Sequence, residues 1–294
     1  MDIIQRRYNL LGDFDKVNTY LRDVYNIETL NSYLLQPFFE YAHTHPAFNH
    51  KLTHRFGLWE ENNEIIGITC YEMDIGECFI STRNGYESLL PEMIKYSEIN
   101  LSANNVLSIW IFDKEVSKRN LLQKMGYKMI HSERVTIFKY NNKFIEKNIP
   151  NGFSVISLDD ENDFDKIDDC LWYGFDHGPG PSIGKGLEKL DDRIQMQSGP
   201  NFRKDLTTVI KAPDGKYACF AGMWIDKKNE YAYLEPLATV PEYRKMGLAT
   251  IAIAEGIKKT EKLGMKYCFG GVGEFYQAIG FETIGNRELW KKEL

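Results

Sequence analysis

YAYLEPLATVPEYRKMGLATIAIAEGIKK, residues 231 to 259, is the stretch on which the reading of this chain turns. Tyr231, Tyr233 and Leu234 favour a strand, but Pro236 has no N–H to give to a ladder, so the strand must bulge or splay there. A splayed strand leaves backbone groups free for a ligand. Past Pro241, the run Arg244-Lys245-Met246-Gly247-Leu248-Ala249-Thr250 opens an apolar-periodic helix in which Gly247 and the small Ala249 permit close backbone approach. Free N–H groups at the helix start, with the positive dipole end behind them and Arg244 and Lys245 alongside, make an anion site suited to a pyrophosphate. Thr250 could add a hydroxyl. Lys258, Lys259, Lys262 and Lys266 read mainly as a solvated helix face.

Upstream, the expected order is a strand at 153–156, a helix over 161–175, a Gly/Pro-rich loop HGPGPSIGKG at 177–186, a helix over 187–196, and strands at 206–211 and 217–225 around the turn Ala212-Pro213-Asp214-Gly215. Downstream come a helix over 247–263, a strand at 267–269, a short helix ending at Gly280 and a last strand through Trp290. The first half has a similar order, with strands at 65–71, 78–81, 106–112 and 135–140 and helices over 87–100 and 115–125. Leu122 to Ile130 matches Tyr276 to Ile284 in pattern, and Gly67 in IIGIT matches Gly222 in FAGMW at nearly the same offset, as in a duplicated domain. The segment NNKFIEKNIPNG is polar and carries Pro150 and Gly152, as a linker would. The expectation is two domains, 1–145 and 146–294.

The 294 residues agree with that count at roughly 150 residues per domain. With 36 Lys and Arg against 42 Asp and Glu the formal charge is −6, which disfavours binding a nucleic-acid backbone by bulk charge. The opening MDIIQRRYNLLGDFD puts charges where a signal peptide needs an apolar run, and no apolar stretch is long enough to span a membrane. A soluble, cytoplasmic protein with no membrane partner is expected. Five scattered cysteines without C-x-x-C spacing read as reduced, mostly buried thiols.

The pattern R-x-x-G-x-A at Arg244, Gly247 and Ala249 follows a strand. A further strand, a short helix with F-Y-x-x-x-G-F at Phe275 to Phe281, and a last strand come after it. Over residues 153 to 294 this order resembles the GCN5-related N-acetyltransferase (GNAT) family. The resemblance implies two α/β (α+β) domains, each a twisted mixed β-sheet flanked by helices. It implies acetyl-coenzyme A, its pyrophosphate on the backbone of Arg244 to Ala249 and its pantetheine arm beside Leu237, Ala238, Thr239 and Val240 like an added strand. The first half lacks the cofactor loop, because the offset from Arg244 and Gly247 lands on Leu89 and Glu92, and it reads as a degenerate copy, as in tandem GNAT enzymes. Where many relatives carry an asparagine or serine before the short helix, this chain has Gly270-Gly271-Val272-Gly273.

Acyl transfer from a thioester to an amine needs a neutral amine, a polarised carbonyl and a protonated leaving thiolate. Glu235, at the splay, is placed to assist deprotonation directly or through water, or else is a strand carboxylate paired with a cation. Backbone N–H groups near Leu237 would polarise the carbonyl. Tyr276 matches the family's general acid, and its plainer role is to pack the short helix on the sheet. Trp172, Tyr173, Asp176 and His177 end the first helix of the second domain and would suit a polar or cationic primary amine, a small molecule, or else fill core and face solvent. His43, His45, His50 and His54 lack a metal-ligand framework. A module that binds acyl-coenzyme A without turnover is the alternative from the binding class. A first domain that recognises a protein with a peptide amine as acceptor is another.

Overall fold

The computed structural model describes residues 2–178 and 187–294, so the end of the Gly/Pro-rich loop, 179–186, lies outside the described residues. The chain divides into two compact units: residues 1–43, 47–135 and 283–294, and residues 44–46 and 136–282.

The first unit holds β1 (Ile4–Arg7), α1 (Leu10–Asp23), α2 (Gln36–Thr44), β2 (Gly57–Glu61), β3 (Glu64–Cys70), β4 (Glu77–Thr82), α3 (Leu90–Asn100), β5 (Val106–Phe112) and α4 (Val116–Lys124). β6 (Lys128–Lys139) begins in the first unit and ends in the second. The second unit continues with β7 (Ser154–Ser157), α5 (Phe164–Gly174), α6 (Leu187–Met196), β8 (Thr208–Lys211), β9 (Tyr217–Asp226), β10 (Tyr231–Thr239), α7 (Leu248–Lys262), β11 (Tyr267–Phe269) and α8 (Glu274–Ala278), before β12 (Glu282–Glu293) returns to the first.

Strand order in the first unit is β1-β2-β3-β4-β5-β12, antiparallel except for β4 beside β5; in the second it is β7-β8-β9-β10-β11-β6, antiparallel except for β10 beside β11. The two units thus repeat one mixed α/β topology. Their closing strands come from opposite halves of the chain: β12 pairs with β5 from Arg287 to Glu293, and β11 pairs with β6 from Ile137 to Lys139. The units are therefore not two consecutive segments meeting at residue 145, because Thr136 already belongs to the second unit and Thr283 onward to the first.

All ten residues of β9 are buried, as suits a strand covered by α5 and α7. Ile251, Ile253 and Ile257 of α7 pack with Met223, Leu234, Cys268 and Phe281 in one core. No helix among the described residues is long and apolar enough to cross a membrane.

Candidate functional site: a splayed strand beside a helix N-terminus

The bulge expected at Pro236 is present on the β9 side, where Leu234 pairs with Met223 and Leu237 with Ala221, so two residues face Gly222 alone. Gly222 is required there. A Cβ on it would lie 2.4 Å from the Glu235 carbonyl oxygen and 2.9 Å from Pro236 Cδ. The indole of Trp224 donates to that same carbonyl at 2.9 Å, fixing the bulge. On the other edge, β10 pairs with β11 only from Tyr231 to Tyr233. Beyond Phe269 the chain keeps to β6, with Gly270 N–H donating to the Thr136 carbonyl and the Thr136 hydroxyl donating to the Gly271 carbonyl. β10 stays with β9 and β11 with β6, so the parallel pair opens at Leu234 and leaves the following backbone of β10 without a strand on that edge.

The opening adjoins the start of α7. Lys245 has φ +64° and Gly247 φ +80°, a turn that reverses the chain before the helix. Ile251 N–H, bonded to the Gly247 carbonyl at 3.1 Å, is the first to enter the helical ladder, and no side chain caps the helix. The N–H groups of Leu248, Ala249 and Thr250 stay outside the ladder at the positive end of a fifteen-residue helix. A cleft of about 610 Å³ lies over them.

Of the residues expected to hold a cofactor, Leu237, Thr239, Arg244, Lys245, Gly247, Leu248, Ala249 and Thr250 line this cleft. Ala238 is buried against Gly174, Met246 is exposed, and Val240 lines a separate cavity of about 500 Å³ together with Tyr173. Arg244, expected beside the helix start as a cation for the pyrophosphate, is also engaged within the protein. Its guanidinium donates to the Thr239 carbonyl (3.0 Å), the Gly174 carbonyl (2.9 Å) and both carboxylate oxygens of Asp176 (3.0 Å), and its own N–H is used on the Pro241 carbonyl. Arg244 therefore braces the end of α5 against the end of β10. Trp172 and His177 lie ring to ring at 5.0 Å beyond that brace.

Glu235 sits half-buried at the bulge. Tyr276 is half-buried, its ring 5.4 Å from that of Phe281, while Phe275 and Ala278 of this short helix and Ile279 just after it line the cleft. The Gly270-Gly271 departure has a steric cause: a Cβ at either position would come within 2.8 Å of the Tyr276 ring, and one at Gly271 within 2.8 Å of its hydroxyl. The glycines are the floor on which Tyr276 lies, at the β11 end of the opening.

Sequence reasoning missed Lys147 and Ile145, which reach the cleft from the segment read as a linker. It also missed how the first unit treats its own parallel pair. There, Lys118 Nζ donates to the Ile80 carbonyl (2.9 Å), to Ser32 Oγ (2.6 Å) and to Glu115 (2.7 Å), while Glu115 accepts from Phe112 N–H (2.9 Å). A buried ion pair thus occupies backbone groups of β4 and β5. Of the four histidines, His43 Nδ1 meets the Phe39 carbonyl at 2.8 Å within a cage of aromatic rings, and His50 and His54 each contact a backbone carbonyl.

Residues 180–281 match the family model of the acetyltransferase (GNAT) family. No curated protein matches the sequence. Among solved structures, a tandem GNAT protein from the clavulanic acid biosynthesis pathway is similar at a TM-score of 0.62 and 10% identity, with 99% of this chain and 98% of that one covered. A GCN5-related N-acetyltransferase from Sphaerobacter thermophilus follows at 0.57 and 12%, covering 99% and 95%. The N-myristoyltransferase of Saccharomyces cerevisiae with bound myristoyl-CoA is similar at 0.57 and 12%, covering 99% and 80%. Residues 180–281 thus match the GNAT acetyltransferase family model, and the mixed α/β fold of the chain is similar to that of GNAT structures.

Proposed function

We propose that the second unit transfers an acyl group, acetyl first, from acyl-coenzyme A to a primary amine of a small molecule. The observation that carries the reading is the parting of β10 from β11 directly beside uncapped N–H groups of α7. The residues fit such a ligand. The free edge of β10 at Leu237 and Thr239 offers an extended arm the hydrogen bonds of a missing strand, and Leu248, Ala249 and Thr250 offer a diphosphate their N–H groups. Bound acetyl-coenzyme A would supply the activated thioester. The chain would then supply backbone N–H near Leu237 to polarise the carbonyl, Glu235 to take the amine proton, directly or through water, and the Tyr276 hydroxyl to return a proton to the thiolate. Trp172, Tyr173, Asp176 and His177 would flank the acceptor. Five free, buried cysteines accord with a reducing, cytoplasmic setting.

The test is thiol release from acetyl-coenzyme A against a panel of primary amines, with Tyr276→Phe as control. The reading expects turnover with at least one amine and a kcat lowered about 10²-fold in the variant at unchanged cofactor affinity. A second reading, binding without turnover, is favoured by one observation: the cleft wall at α8 and its C-cap is Phe275, Ala278 and Ile279, and not Tyr276. That reading expects tight binding, no thiol release with any amine, and no effect of Tyr276→Phe.

A further inference from the structure

The polar segment after β6 is more than a connector. Phe144 and Ile149 pack on the core of the second unit, Phe144 with its ring 4.9 Å from that of Phe138. The stretch between these two anchors crosses the cleft, and Ile145 and Lys147, alternate residues, line it. The Lys147 stem lies over the turn before α7, since a Cβ on Gly247 would be 2.8 Å from Lys147 Cδ and 4.0 Å from its Nζ.

The charges of the cleft are one-sided. Lys147, Arg244 and Lys245 line it, and no carboxylate does among the described residues. Arg244 is already committed to Asp176 and two carbonyls. Lys147 has no ion pair or hydrogen bond among the described residues. Lys147 is exposed, its stem lies over the turn at Gly247, and its ammonium, with no anion of its own, is available to a negative partner at the cleft.

We infer that residues 144–149 form a strap across the cofactor cleft and that Lys147, whose charge no side chain of the described residues neutralises, binds a phosphoryl group of the coenzyme. The inference rests on the acyl-coenzyme A reading and adds to it a specificity residue from outside the R-x-x-G-x-A loop. Two phosphoryl sources exist within one coenzyme, the diphosphate and the ribose 3′-phosphate, and the ligands below separate them.

The experiment is calorimetric titration of the full chain, and of Lys147→Met and Lys147→Arg, with coenzyme A and with 3′-dephospho-coenzyme A. Lys147→Met should weaken coenzyme A about tenfold and Lys147→Arg should restore most of that loss, because one charge-assisted contact is worth about a factor of that size. An equal loss for both ligands supports the inference with Lys147 on the diphosphate. A loss for coenzyme A alone supports it with Lys147 on the 3′-phosphate. A folded Lys147→Met that binds both ligands as tightly as the parent overturns it while the cofactor reading stands. A parent that binds neither ligand overturns the cofactor reading and the strap's role with it.

Discussion

Gly222→Ala puts the smallest possible side chain against the point where β10 leaves its ladder. The added Cβ would stand 2.4 Å from the Glu235 carbonyl oxygen and 3.0 Å from its carbon, atoms of the backbone that cannot rotate away. Real Cβ contacts essentially never fall under 3.0 Å, so β9 and β10 must part by at least 0.6 Å. The Trp224 indole bond to that carbonyl, 2.9 Å long, is stretched by the same movement. Overpacking in a close-packed interior costs about 1–3 kcal/mol, and the rigid backbone on both sides puts this site at the upper end, about 3 kcal/mol. The parting carries Glu235 with it, and on the proposed role of Glu235 as the base its misplacement by a fraction of an ångström to 1 Å should lower turnover by up to about 10²-fold. Urea unfolding followed by tryptophan fluorescence measures the first effect, and kcat/KM for the best amine measures the second. A variant within about 0.5 kcal/mol of the parent with unchanged kcat/KM would refute the argument that Gly222 is what allows two residues of β10 to face one of β9.

Two further outcomes follow from the first unit. Lys118→Met should cost about 3 kcal/mol in urea unfolding, since side-chain exposures of 6% for Lys118 and 10% for Glu115 leave the carboxylate buried without its cation. Adding Glu115→Leu should recover part of that loss. Burial lowers His43 from its ordinary 6.5 to about 4, so the folded state keeps the ring neutral while the unfolded chain protonates it. The stabilisation this gives is complete above pH 6.5 and is lost as pH falls from 6.5 to about 4, by about 3 kcal/mol. Stability measured across that window should lose that part of its slope in His43→Phe.

Much of the second unit was legible because its signals are local. Pro236 requires a break in the ladder whatever surrounds it, and β10 shifts register there. The apolar period from Leu248 onward gives α7, and α8 ends just before Gly280 as expected. The repeat was legible too, with Gly67 in β3 and Gly222 in β9 at corresponding strands. Non-local pairing was not legible. Nothing within Glu282 to Glu293 records that its partner is Val106 to Phe112, and the exposed first half of β6 has no alternation to announce a strand. Arg244 illustrates the same limit on charge: nothing beside the glycine turn records that its guanidinium also meets Asp176 from another element. The polar composition of 141–152 concealed the strap, because Phe144 and Ile149 anchor it against residues far away in sequence.

The most direct test of the account is calorimetric titration of acetyl-coenzyme A into the parent and into Gly247→Glu. The variant forces a side chain and a negative charge into a turn held at φ +80° beneath Lys147, in front of the free N–H groups of α7. The account predicts micromolar binding by the parent, about −8 kcal/mol, and no measurable binding by a variant whose circular dichroism and unfolding midpoint show it folded. A parent that does not bind, or a folded variant that binds as tightly as the parent, would contradict it.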